Sequence, residues 1–189
     1  TEREERSLVA YSEHLMQAFI AQRTSEFGKI ARDYALWDAM AEHNRGTAED
    51  IGWLTENVTA SVYSELDVDD VLILDTNLRP LYALRRGEHV RFERLGDWDE
   101  QLAMLLTVST ARHPERHTLA GVVRTKAALR QVVAERIRPE LKDARARDPS
   151  GWVVFAREIS PKWLDEISEL LSISALVVLD APPQGNGPH

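Results

Sequence analysis

Two carboxylates, a phenol and an indole lie within six consecutive residues, Asp33-Tyr34-Ala35-Leu36-Trp37-Asp38. On a helix, Asp33 and Trp37 would share one face, as would Tyr34 and Asp38. The carboxylates would hold an amine or another cation, and the two rings would offer it their π faces. This cluster predicts one wall of a ligand pocket. In the alternative, Trp37 fills the core and the aspartates bond loop amides or pair with arginines.

The same two aspartates also suggest acid–base catalysis of the glycosidase kind, which requires both carboxyl groups to face one bond. Five helical positions separate Asp33 from Asp38, so the two side chains would lie roughly 140° apart around the axis. They are poorly aimed at a common bond, and no catalytic residue is predicted. A small hydrolase or lyase that uses these aspartates and a histidine is the third and weakest of three functional hypotheses.

Two further polar residues are candidates for ligand contact. Arg157 ends a strand-like apolar run, and the alternation of side chains places it on the face of Phe155. The guanidinium would bind a ligand carboxylate through two hydrogen bonds, or form a structural ion pair with Asp33 or Asp38. Asn57 would bond the ligand, or tie backbone groups near the second predicted helix.

Metal and cofactor sites are not predicted. His113 and His117 have a spacing that suits a metal on a helix, but Pro114 lies between them and only Glu115 stands nearby as a further ligand. A surface loop explains this segment better. The chain has no cysteine, which removes thiolate metal sites, disulfides and cysteine nucleophiles from consideration.

Composition indicates one soluble globular domain. The chain has 189 residues, of which 43% are apolar and 29% charged, enough to bury a core without metals or disulfides. Its net charge of −8 argues against nucleic acid as the main partner, because phosphate binding needs a basic surface. The basic run of residues 136–147 alternates with acids and predicts a solvated face.

Residues 1–44 are predicted to form a long N-terminal helix, or two stacked helices, because residues 2–43 contain no proline and one glycine. Apolar residues with coiled-coil spacing occur in its first half: Leu8, Tyr11, Leu15 and Ala18. This pattern predicts the seam of a parallel homodimer, with ordinary intramolecular packing as the alternative. Thr47 is a good N-cap for a second helix that would reach about Leu66.

After residue 66 the apolar pattern changes from helical spacing to short strand-like runs. Strands are predicted over residues 68–75, 81–84, 89–95, 118–124, 129–137, 152–157 and 175–179. Two helices interrupt them, one from Trp98 to about Ala111 after an Asp97 cap, and one from Pro161 to about Leu171. This order indicates an α+β fold with an antiparallel sheet.

Several short motifs occur in an order that suggests a family. They are Asp33-x-Ala35-x-Trp37-Asp38, then Trp53 and Asn57, then Leu66-Asp67-Val68-Asp69 leading into Val71-Leu72-Ile73-Leu74-Asp75, and finally Gly151-Trp152-Val153-Val154-Phe155-Ala156-Arg157. With these motifs, residues 32–179 resemble the fourth class of CHASE domains, extracellular sensory modules of bacterial membrane receptors. One departure is Ala39-Met40-Ala41, where members of the family often carry further aromatic residues.

The resemblance implies a PAS-like or Cache-like fold, with a long N-terminal helix, a central antiparallel sheet and flanking helices. It implies a periplasmic or extracellular part of an inner-membrane protein, with transmembrane helices on either side in the parent. Outputs of such receptors are a diguanylate cyclase, a cyclic-di-GMP phosphodiesterase or a histidine kinase. The charged first residues fit a segment of a larger protein, and residues 181–189 have the composition of a disordered tail or linker.

The leading prediction is therefore a single sensory domain over residues 1–180, with residues 1–44 as its helix and residues 45–180 as its α/β core. It would bind an unknown small molecule, need no cofactor and have no catalytic activity. The predicted ligand contacts are Asp33, Tyr34, Trp37, Asp38, Asn57 and Arg157. The alternative is a dimerisation or protein-interaction module without a small-molecule ligand.

Overall fold

The computed structural model of the chain describes residues 2–91, 98–124, 128–139 and 151–170. Within these residues six helices form: α1 (Glu2–Ala35), α2 (Asp38–Glu42), α3 (Ala48–Asn57), α4 (Ser61–Leu66), α5 (Trp98–Arg112) and α6 (Pro161–Leu170). The same residues form six strands: β1 (Asp70–Leu74), β2 (Pro80–Arg85), β3 (Glu88–His89), β4 (Thr118–Arg124), β5 (Leu129–Arg136) and β6 (Trp152–Glu158). The α+β fold class is confirmed.

The chain divides into two compact units, residues 20–158 and residues 1–19 together with 159–189. The first contains the sheet and the helices from α2 to α5. In the second, α6 begins where the Ser160 hydroxyl accepts a hydrogen bond from the Trp163 backbone N–H (3.1 Å), and Ile167 is its buried residue. The predicted extent of a single sensory domain over residues 1–180 stays a prediction.

All strands pair in one antiparallel sheet in the order β3-β2-β1-β6-β5-β4, so β1 and β6 are central. The predicted strands agree with these elements to within a few residues, and residues 118–124 agree at both ends. Of the third predicted strand, over residues 89–95, His89 lies in β3, residues 90 and 91 do not form a strand, and the others lie outside the described residues. The Asp97 cap, the final strand over residues 175–179 and the tail from residue 181 lie outside the described residues.

Alternation along the central strands separates two hydrophobic cores, one on each face of the sheet. The first core contains the side chains of Ile73, Val153 and Phe155 with residues of α1, α3 and α4. The second contains those of Leu72 and Val154 with residues of α5. The predicted alternation in β6 is therefore confirmed, and each face of the sheet has its own helical layer.

The predicted N-terminal helix is interrupted, because α1 ends at Ala35 and Trp37 has an extended backbone (φ −66°, ψ 119°). Neither glycine nor proline stands at the break. Instead, the Ala35 carbonyl accepts a hydrogen bond from the backbone N–H of Arg138 (3.1 Å), which follows β5. A tertiary hydrogen bond thus occupies a carbonyl that a continuing helix would use, and local periodicity could not reveal it.

The second predicted helix is also divided, into α3 and α4. Its start is confirmed: the Thr47 hydroxyl accepts from the Asp50 N–H (3.1 Å), and the Asp50 carboxylate accepts from the Thr47 N–H (3.0 Å). Its interruption begins at buried Val58, whose carbonyl accepts a hydrogen bond from the Tyr82 hydroxyl of β2 (3.0 Å). This bond to the sheet satisfies a carbonyl at the end of α3.

Candidate functional site

The opening hexapeptide spans the end of α1 and the start of α2. Asp33 is exposed on the last turn of α1, while Asp38 begins α2 and is half-buried. The angle of a straight helix therefore does not describe this pair. Trp37 is 41% exposed as a residue and does not fill the core, which contradicts the structural alternative for this residue.

Trp53 of α3 lies at the centre of a cluster of three aromatic rings. The Trp37 ring lies 4.9 Å from the Trp53 ring, and the His43 ring stacks on Trp53 at 4.8 Å with an interplanar angle of 13°. Asn57 donates from its side-chain amide to the Trp53 carbonyl (2.8 Å), so it ties the backbone as the alternative for this residue held. Trp37 and Asn57 thus come together through Trp53.

Tyr34 lies on the sheet side of α1. Its ring meets Phe155 of β6 edge-on, with the centroids 5.4 Å apart. Burial raises the pKa of the Tyr34 phenol, and the nearby Glu65 carboxylate raises it further. The phenol stays neutral, and the ring holds the end of α1 against the centre of the sheet.

Arg157 binds neither Asp33 nor Asp38, so the predicted ion-pair partners are wrong. Its Nε donates to the Asp67 carbonyl (2.9 Å), and its Nη2 lies 3.0 Å from the Asp67 carboxylate. The guanidinium carbon also lies 5.1 Å from the centroid of the Phe27 ring of α1. Arg157 therefore joins β6 both to the end of α4 and to α1.

Replacing this arginine is expected to lower stability. Arg157→Gln should reduce the free energy of unfolding by about 1–3 kcal/mol, since a largely buried, charge-assisted hydrogen bond is lost. Urea denaturation of the purified chain measures this value. The matched variant Asp67→Asn should cost less than about 1 kcal/mol, because it keeps the accepting carbonyl and removes only an exposed carboxylate. Equal losses in the two variants would contradict this division of roles.

A cavity of about 470 Å³ lies between α5 and the sheet, on the face opposite to α1. The described residues of its lining combine hydroxyl groups, apolar side chains and a cation: Thr76, Leu78, Leu106, Thr107, Thr110, Ala111, Arg136, Gly151 and Trp152. This volume falls within the range of small-molecule sites, and the mixture of apolar walls with few polar groups is typical of them. None of the six predicted ligand contacts is among these lining residues.

Arg136 is the cation of this cavity and was missed by the sequence analysis, which placed it on a solvated face. It belongs to β5, where Val132 and Ala134 belong to the core beneath α5. Its guanidinium carbon lies 4.8 Å from the Trp152 ring centroid, and its Nε is buried without a hydrogen-bond partner among the described residues. An arginine at an inward position of an apolar strand was the available signal.

Metal chemistry has no assembled site in the part of the chain that the structure describes, since no group of three or more potential ligands converges there. His113 lies 3.7 Å from the Glu115 carboxylate. The His117 ring has its pKa lowered by burial and by Arg138.

Comparisons with known proteins give a family match and a similar solved structure. A family model described as the CHASE4 domain matches residues 19–177. A solved structure of an extracellular domain, assigned to the histidine kinase vpHK1S-Z8, is similar with a TM-score of 0.44 and 10% identity; 86% of this chain and 61% of that one are covered. The chain thus spans less than two thirds of that neighbour. A search of curated proteins found no match. Across the described residues, no helix has both the length and the hydropathy that a bilayer span requires.

Proposed function

Because the chain belongs to the CHASE4 family of extracellular sensor domains, we propose that it senses a small molecule for a bacterial transmembrane signalling receptor. The parent protein would be anchored in the inner membrane, with this domain in the periplasm or outside the cell. Its output would be a diguanylate cyclase, a cyclic-di-GMP phosphodiesterase or a histidine kinase. The domain itself would bind its ligand without chemical turnover.

The observation that carries this proposal is the attachment of α1 to the central sheet. The Gln131 amide of β5 donates to the Thr24 hydroxyl (2.6 Å), and Arg138 N–H donates to the Ala35 carbonyl (3.1 Å). The Tyr34 ring contact adds a third connection, to β6. A ligand that binds two arrangements of the sheet with different affinity would therefore bias the position of α1.

The first part of α1 supplies the proposed route to a second protomer. Tyr11 is 62% exposed and Ala18 is also exposed, while Leu15 is half-buried. The side chain of Leu8 lies outside the described set. We propose that this stripe forms the seam of a parallel homodimer in the anchored receptor, and that ligand binding shifts the seam.

Cysteine cross-linking tests this route in the parent receptor in its membrane, on a domain that has no cysteine of its own. Tyr11→Cys should form disulfide-linked dimers, and an activating ligand should change their yield several-fold. Gln17→Cys is the matched control, because it is exposed but lies about 120° around the helix from Tyr11. Equal cross-linking at both positions, unchanged by an activating ligand, would overturn the proposal.

The alternative function is the binding of a partner protein, and one observation favours it. Trp37 is 41% exposed beside Trp53, and tryptophan is enriched at sites of protein contact. The surface around Trp37 and Asp38 is therefore a second proposed contact site. The cavity of about 470 Å³ beneath α5 favours the small molecule, since a spacer module needs no such space.

A further inference from the structure

We propose that the cavity between α5 and the sheet binds a small organic acid, whose carboxylate pairs with Arg136. The proposal rests on the function as a small-molecule sensor and adds the chemical class of the ligand. Among the residues that the structure describes, nine line the cavity, and Arg136 is the charged side chain of these nine.

The Arg136 guanidinium supports this proposal because one of its N–H groups has no hydrogen-bond partner among the described residues. Its Nε is buried without a hydrogen-bond partner in the described part of the chain. Arg136 as a residue is half-buried, and its observed contact is with the face of the Trp152 ring, at 4.8 Å, which offers the Nε–H no hydrogen-bond acceptor. A buried N–H without an acceptor destabilises the protein until an acceptor binds. A carboxylate matches the planar fork of the guanidinium.

The neighbouring groups extend the match beyond a single ion pair. The linings from α5 and from the β1–β2 turn provide the hydroxyls of Thr107, Thr110 and Thr76, each able to donate to an oxygen of the ligand. Leu78 and Leu106 provide apolar wall for the rest of the molecule. A ligand with a carboxylate, an adjacent hydroxyl and an apolar remainder uses all of these features.

The lining also predicts which acids are poor ligands. The nine described lining residues include no aspartate or glutamate, and the positive charge of Arg136 repels an ammonium group placed beside it. A hydroxy acid should therefore bind more tightly than the amino acid of the same shape. A neutral amide should bind more weakly than the acid, because its interaction with the guanidinium lacks the opposite charge.

Two matched series of probes test these differences by titration calorimetry on the 189-residue chain. The first is lactate, alanine and lactamide, and the second is phenyllactate, phenylalanine and phenyllactamide; inorganic phosphate is the control for any small anion. We expect saturable binding of at least one hydroxy acid, about tenfold tighter than its amide and tighter than its amino acid.

Variants locate the binding to Arg136. Arg136→Gln should weaken the hydroxy acid by about ten- to a hundredfold, and Arg136→Lys should recover only part of this, since lysine keeps the charge but not the fork. Thr110→Val removes one hydroxyl with little change in shape and should cost a smaller factor. Arg112→Gln, at an exposed position at the end of α5, is the matched control and should bind normally.

Several results would overturn the assignment: no binding by any carboxylate in the series, amides binding as well as acids, phosphate binding alone, or unchanged affinity in Arg136→Gln. Circular dichroism of each variant shows whether it is folded. If Arg136→Gln does not fold, Arg136→Lys and Thr110→Val still test the assignment. A ligand of another class that still shifts Tyr11→Cys cross-linking would reject the carboxylate and leave the sensor proposal standing. Binding of a carboxylate that does not change Tyr11→Cys cross-linking would support the ligand class and reject the sensor proposal.

Discussion

Gly151→Ala is expected to lower the free energy of unfolding by about 3 kcal/mol or more, because an added Cβ atom would make its closest contact here among the described glycines. Gly151 has φ +135°, a conformation that residues with a side chain rarely adopt. A Cβ atom there would lie 2.0 Å from the Leu74 carbonyl oxygen and 2.6 Å from the Asn44 side-chain nitrogen.

Neither the Leu74 carbonyl nor the Asn44 amide can move away easily. The Leu74 carbonyl belongs to the last residue of the central strand β1, and the buried Asn44 amide donates to it (3.4 Å). The Gly151 carbonyl in turn accepts from the Ile137 N–H (3.0 Å). Three segments meet at Gly151, so a methyl group would push them apart at the entrance to β6.

Gly52→Ala is the matched control for this prediction. Gly52 is exposed within α3, and a Cβ atom added to it would meet nothing within 4 Å. Alanine should stabilise the helix at this position by about 0.5–1 kcal/mol. Urea denaturation followed by circular dichroism compares the two variants, and equal stability of Gly151→Ala and the unmodified chain would refute the steric argument.

Asp70→Ala should lower the free energy of unfolding by about 3–5 kcal/mol, because it removes the carboxylate from a buried ion cluster. Asp70 lies on β1 with its side chain buried, and its two oxygens accept separately from Arg85 Nε and Arg130 Nε, each at 2.8 Å. Arg130 is buried as well. The carboxylate therefore balances charge between β2 and β5 across the central strands.

An exposed acid shows how much of this effect comes from burial. Glu26 pairs with Arg23 at 3.5 Å on the surface of α1, where both side chains are about half exposed. Glu26→Gln should change stability by less than about 1 kcal/mol, since water screens the pair. The same urea titration measures both variants. A cost below about 1 kcal/mol for Asp70→Ala would show that Asp70 contributes no more than a surface acid.

The sequence predicted the helices and strands better than the contacts between them. Thr47 as an N-cap and the strand over residues 118–124 depend on residues close in the chain, and both agree with the structure. Two predicted helices were interrupted for a non-local reason, because carbonyls at their ends bond other elements: Ala35 to Arg138, and Val58 to Tyr82. Sequence periodicity contains no information about such partners.

The candidate site shows the same division. The motifs around Trp37 and Arg157 identified the family, but Arg157 pairs with Asp67, which lies 90 residues earlier in the chain. The cavity was not predicted, since its walls come from α5, the β1–β2 turn and the strands β5 and β6. Only the register of β5 against β6 places Arg136 opposite Trp152 and beside that space.

By itself, the sequence determined the α+β class, the alternation of the strands and the resemblance to CHASE4 domains, because these depend on local spacing and on the order of short motifs. The tertiary structure decided where α1 ends, which acid holds Arg157, why position 151 is glycine and which arginine faces a cavity. Each of these depends on groups distant in the chain, whose distances are set only when the sheet and its two helical layers have packed.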